Sequence, residues 1–125
     1  MNGRPSISPG LTPELLLDVF DMPISFHRCL VPITGGVTAA LMLSQTIWTS
    51  EALDPEVGGW FCRSQEEWTE ETGLSRWEQE TARRALRSGG FLEERRAGMP
   101  AKLWFRVRPE AIGRALQAHA NPVRR

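Results

Sequence analysis

Apolar and polar positions along the chain repeat with two different periods, and the switch between them marks its elements. Directly after Gly35-Gly36, the row Val37, Ala40, Leu41, Ser44, Ile47 and Trp48 recurs at helical spacing, which predicts a core helix over residues 37 to about 50. Near the other end, Leu103, Phe105 and Val107 alternate with Lys102, Trp104, Arg106 and Arg108. A period of two belongs to a strand, here with an apolar row on the core and a basic row toward solvent. Residues 91–96 supply its partner and Ala97-Gly98-Met99-Pro100-Ala101 the turn, so a β-hairpin is expected.

Between these segments the punctuation is local. Residues 53–59, LDPEVGG, read as a loop and Trp60-Phe61-Cys62 as a short strand. Ser64-Gln65-Glu66-Glu67 is a capping box that opens a helix through Thr72, and Gly73 ends it in the left-handed conformation glycine tolerates. Ser75-Arg76-Trp77-Glu78 is a second capping box only three residues later. The intervening turn is too short to let the two helices run side by side, which makes the pair a helix-turn-helix. The second helix is expected to run to about Ser88 and stop at Gly89-Gly90.

The flanks follow the same rules. Thr12-Pro13-Glu14 predicts a helix with Leu15, Leu16, Val19 and Phe20 on its apolar face. Residues 22–33 are β-rich but interrupted by Pro23 and Pro32, and are expected to be extended. Pro109-Glu110 opens a last helix with Ala111, Ile112, Ala115 and Leu116 on one face, ending before Asn121-Pro122. Residues 1–11 and 121–125 show no periodicity and are expected to be tails around a single domain spanning 12–120. The order helix, strand, helix, turn, helix, hairpin is that of an α+β, mainly helical fold. It predicts a winged helix-turn-helix with a two- to three-stranded β-wing and extra N- and C-terminal helices.

Composition narrows the class. With 125 residues, 41% of them hydrophobic, and five tryptophans, the chain can bury one core and is too short for two domains. Cys29 and Cys62 lie far apart with no CxxC and no histidine at ligand spacing, which suits a reduced cytoplasmic interior. The apolar run at 15–20 is short and followed by Asp21, so neither a signal peptide nor a membrane span is expected. His27 and His119 are isolated and no phosphate loop follows a strand. A non-enzymatic protein without metal or cofactor is therefore expected.

Net charge is zero, but residues 1–82 hold 4 basic and 12 acidic side chains, whereas residues 83–125 hold 11 basic and 3 acidic. The average conceals a basic half, the quantity that matters for binding a polyanion.

The segments GGVTAALMLSQTIW and GGWFCRSQEEWTEETGLSRWEQETARRALRSGGFLEERRAGMPAKLWFRV together resemble the winged-helix domain of bacteriophage- and plasmid-type replication proteins and related prophage proteins. The resemblance covers roughly residues 35–110 and rests most on the Trp-rich strand-to-helix passage, GLSR with EQETARRAL, and the hairpin GMPAKLWFRV. It implies binding of double-stranded DNA at an origin or operator, with the second helix of the turn in the major groove and the wing on the backbone.

The residues themselves supply a matching chemistry. At 100° per residue about Ala82, the side chains Glu78, Gln79, Ala82, Ala85 and Leu86 fall inward and Arg76, Trp77, Glu80, Arg83, Arg84 and Arg87 outward. The hairpin adds Arg95, Arg96, Lys102 and Arg106, and Arg108 beyond them. Arginine matches guanine edges and phosphates bidentately. Six phosphate contacts would make affinity fall with salt at a log–log slope of roughly −5. Ser75 and Glu78 form the cap, with the Glu78 carboxylate turned back from any groove, and Gln79 sits where an aliphatic side chain is expected. Against the DNA reading stands ordinary solvated surface, with Glu80 and Arg84 as an i,i+4 pair.

Two residues leave the partner open. Glu80 either accepts from a cytosine amino group or repels phosphate. Trp77 either touches a thymine methyl or sugar, anchors a protein interface, or folds back onto Trp104 or the hairpin. The helix at 64–72 carries Glu66, Glu67, Glu70 and Glu71, which favours a second reading: a phage-encoded inhibitor or adaptor that turns its acidic face, or Trp77, toward a host protein. The apolar faces at 13–20 and 109–119 serve equally for a homodimer or for packing on their own domain.

Overall fold

In a computed structural model of the chain, residues 12–14 and 24–120 are described. The expected tails, and Leu15, Leu16, Val19 and Phe20 of the expected first helix, lie outside the described residues; 13–14 are helical. The fold is α+β and mainly helical. Its helices are α1 (Val31–Thr34), α2 (Val37–Glu51), α3 (Gln65–Thr72), α4 (Arg76–Ser88) and α5 (Pro109–Ala120), and its strands β1 (Phe61–Cys62), β2 (Leu92–Ala97) and β3 (Lys102–Val107).

The segment expected to be extended is helical from Arg28 on; His27 is extended, and Met22 and Pro23 lie outside the described residues. Residues 24–27 are irregular, Arg28–Leu30 form a 3-10 turn and α1 follows directly. Pro32 sits in the first turn of α1, where its missing N–H would be unpaired in any helix. Thr34 Oγ1 donates to the Leu30 carbonyl at 2.7 Å and Gly35 closes the turn at φ 94°. A proline read as a strand breaker is here a helix starter.

The helix α2 keeps its expected span but turns a different face inward. Ala39, Ala40, Met42, Leu43, Thr46 and Thr49 are buried against α4 and β3, whereas Val37 and Trp48 are exposed. Ser44, Gln45, Thr46 and Thr49 are buried polar residues, so part of the inward row is carried by side chains that hydrophobicity does not mark. Thr46 satisfies its hydroxyl by donating to the Met42 carbonyl at 2.8 Å.

The three strands form one antiparallel sheet in the order β1-β3-β2. Phe61 pairs with Phe105 and Glu94 with Phe105 from the other side, which places Phe61, Glu94, Leu92, Arg96 and Phe105 on one face. On that face the Phe61, Trp68 and Phe105 rings meet at centroid distances of 5.4 to 6.2 Å and tie the sheet to α3. Burial of such rings contributes about 1.5–3 kcal/mol each. The apolar face of α5 is used within this domain: Ile112 is buried, and Ala111, Ala115 and Leu116 pack against the same core.

Among the described residues no single helix is long and apolar enough to cross a membrane, and no group of three His, Cys, Asp or Glu side chains is placed to hold a metal ion.

Candidate functional site

Both helices beside the turn start as their sequences specify. Ser64 Oγ accepts from Glu67 N at 3.1 Å and Glu67 Oε1 accepts from Ser64 N at 2.8 Å. Ser75 and Glu78 repeat the exchange at 3.2 and 2.9 Å. The Ser64 backbone N–H holds the Glu67 carboxyl below the usual carboxylate range. Glu78 is exposed and not inward, because its side chain turns back along the first turn of α4.

Gln79 explains how the turn between α3 and α4 is held. It is 1% exposed, and its amide nitrogen donates toward the Leu74 carbonyl at 3.1 Å, the Gln65 carbonyl at 3.2 Å and Thr69 Oγ1 at 2.9 Å. Thr69 Oγ1 in turn donates to the Leu74 carbonyl at 3.0 Å. Where an aliphatic residue would only fill space, this amide satisfies carbonyls that the turn takes away from water.

Between α4, the start of α3 and the β2–β3 hairpin lies a cleft of about 610 Å³. Seven cationic side chains line it: Arg63, Arg76, Arg83, Arg84, Arg87, Arg96 and Lys102, against Glu67 and Glu80. Trp68, Gln79 and Phe105 form its floor.

One largely buried carboxylate beside this cleft fixes two of its arginines. Glu94 projects from β2 with a side chain 9% exposed; its Oε2 accepts from Arg83 Nε at 2.8 Å, and its Oε1 from Arg83 Nη2 at 2.9 Å and Arg87 Nη1 at 2.8 Å. Burial alone would raise the Glu94 pKa, but the hydrogen bonds and charge of the two arginines outweigh it and hold the carboxyl below its ordinary value. The same bond, against the cost of burial, raises Arg83. Arg83, expected to face outward, is therefore only 15% exposed and lies over the Phe105 ring at 5.8 Å.

The hairpin divides its expected cations between two sides. Arg96 and Lys102 line the cleft. Arg95 and Arg106 do not: they clasp the Trp60 ring from 4.4 and 4.7 Å. The register pairs Arg95 with Trp104 and Arg106 with Glu93, on the sheet face opposite Phe105. Glu93 Oε1 lies 2.6 Å from Arg106 Nε and Glu93 Oε2 lies 2.9 Å from Arg108 Nη1, and the Arg106 hydrogen bond leads in holding the Glu93 carboxyl below its usual range.

Two further side chains depart from expectation. Glu80 pairs with Arg76 at 3.7 Å instead of Arg84. Trp77 is 69% exposed and makes no ring contact, so it does not fold onto Trp104 or the hairpin. Sequence reasoning missed Arg63, whose Nε lies 2.7 Å from Glu71 Oε2, because a lone arginine before a capping box carries no pattern. It also missed Glu94, which is legible only once the hairpin register places it against Phe105.

A second cavity, about 840 Å³, lies between α2, α3 and residues 24–27. Ile24, Ile47 and Trp48 give it an apolar wall, and Glu51, Glu70 and Glu71 its charge. Compared with protein-family models, with curated proteins and with solved structures, the chain matches none of them.

Proposed function

We propose that the chain is a winged helix-turn-helix protein that binds double-stranded DNA, with α4 in the major groove and the β2–β3 hairpin as the wing. The cleft of seven cations between α4 and the hairpin carries this reading. Its width is bridged by Glu94, so helix and hairpin present their charges as one surface. A role in replication or transcription control of phage or plasmid type, without catalysis, is the setting that the resemblance of residues 35–110 suggests.

The ion pairs lower the expected electrostatic contribution. Arg63 and Arg76 are each matched by an acid, and Glu94 cancels one of Arg83 and Arg87. With Arg84, Arg96 and Lys102 added and the cap carboxylate Glu67 set against them, about three uncompensated charges remain, for a log–log salt slope of roughly −2.7. A polarisation titration of random duplex at two salt concentrations tests the reading. Measurable, salt-sensitive binding that weakens in Arg96→Ala and Lys102→Ala is expected; no binding at low salt would refute it.

The second cavity favours one other reading, a protein partner. An exposed tryptophan beside three carboxylates suits a basic segment with an apolar anchor, and repels DNA. A partner retained after nuclease treatment and lost in Trp48→Ala would support it; retention of the same partner by Trp48→Ala would refute it.

A further inference from the structure

The outward side chains of α4 are of three kinds, and Arg76 and Glu80 pair with each other. Arg83 and Arg87 lean toward the hairpin and are fixed on Glu94, with Arg83 spending Nε and Nη2 on that carboxylate. Trp77 and Arg84 are different. Opposite the buried side of Gln79, Ala82 and Leu86, both are exposed, Arg84 at the edge of the cleft and Trp77 outside it, seven residues apart and so nearly superposed along the helix. Among the described residues neither has an ion pair, a hydrogen bond or a ring contact.

A guanidinium already held by a carboxylate has a set position and fewer free donors, which suits a phosphate contact. A free guanidinium can turn both arms of its fork to one guanine. An exposed indole offers mainly a flat apolar surface, and the apolar feature of the major groove is the thymine C5-methyl.

We propose that Trp77 and Arg84 are the base-reading pair of α4: Arg84 donates to O6 and N7 of a guanine, and Trp77 covers the methyl of a thymine. This rests on the duplex-DNA reading above. Seven residues of helix rise about 10 Å, and base pairs are spaced about 3.4 Å along the duplex. Because a helix in the groove runs obliquely to the duplex axis, the two bases lie about two to three base pairs apart. Arg87, set by Glu94 and still exposed, takes a flanking phosphate, and Arg83 holds Glu94 in place behind it.

The test is selection of tight-binding duplexes from a randomised pool with the full chain, followed by titration of the selected site. A guanine and a thymine at a fixed separation of about two to three base pairs are expected. Replacing that thymine by uracil removes only the methyl and should weaken wild-type binding about four-fold, while leaving Trp77→Ala unchanged. Arg84→Ala should lose roughly ten-fold or more at the guanine and little at a mismatched base there. Trp77→Phe, which keeps an aromatic face, should retain the thymine preference, and circular dichroism checks that each variant folds. Equal affinity of the wild type for uracil and thymine, or a guanine preference that survives Arg84→Ala, overturns the assignment. Duplex binding without any sequence preference overturns it while leaving the DNA reading intact; absence of duplex binding removes both.

Discussion

At the scale of single residues, the side chains that set the geometry are those whose polarity contradicts their position. Gln79 lies on the buried face of α4, where periodicity calls for an aliphatic residue, yet it donates to the Leu74 carbonyl in the turn and to the Gln65 carbonyl at the start of α3. Truncation to Gln79→Ala removes those donors and leaves a cavity, so unfolding by urea should show a loss of about 2–3 kcal/mol. A change below about 0.5 kcal/mol would mean that the turn is held without it. Neither this role nor that of Glu94 is legible in the sequence, because each depends on what a distant segment brings alongside. Ser75 and Glu78 are legible, because a capping box closes within four residues.

At the scale of elements, local chemistry fixes where helices begin and end, and tertiary contact fixes which face they bury. Both capping boxes, the left-handed Gly73 and the stop after Ser88 fall where the sequence places them. The phase of α2 does so only in part: Ala40 and Ser44 are buried as expected, but the buried row also runs through Thr46 and Thr49 and leaves Val37 and Trp48 outside. The run of residues 22–33 misleads for a similar reason: β-branched residues and proline are compatible with a strand edge and with a first helical turn, and α1 takes the second. Removing the α4 cap in Ser75→Ala should cost about 1 kcal/mol in thermal or urea unfolding. Gly73 sits at φ 77° with open space where a Cβ would project, so Gly73→Ala suffers backbone strain alone, about 1–2 kcal/mol. Gly73→Asn should recover part of that loss; an Asn variant no better than the alanine one would show that strain is not the cause.

At the scale of the whole molecule, the two carboxylates of β2 tie together elements within the basic half of the chain. Glu93 and Glu94 are neighbours on one strand, point to opposite faces of the sheet and hold two arginines each. Both carboxyls titrate below their ordinary value near 4.5 in the folded chain. Above the unfolded value both states are ionised and the full contribution of these contacts is present. As pH falls through that value the unfolded chain takes up protons first, so stability declines until the depressed folded pKa is passed. Thermal unfolding followed downward from about pH 5 should therefore show a falling Tm. General repulsion among the remaining cations contributes to the same fall, so the informative quantity is the difference between variants. Glu94→Gln should lower Tm at neutral pH, because it leaves Arg83 beside a neutral partner in a largely buried place. It should also flatten the acid limb, and the wild-type and Glu94→Gln curves should converge as pH drops. Parallel curves at every pH would show that the carboxylate charge of Glu94 is not what joins the helix to the hairpin.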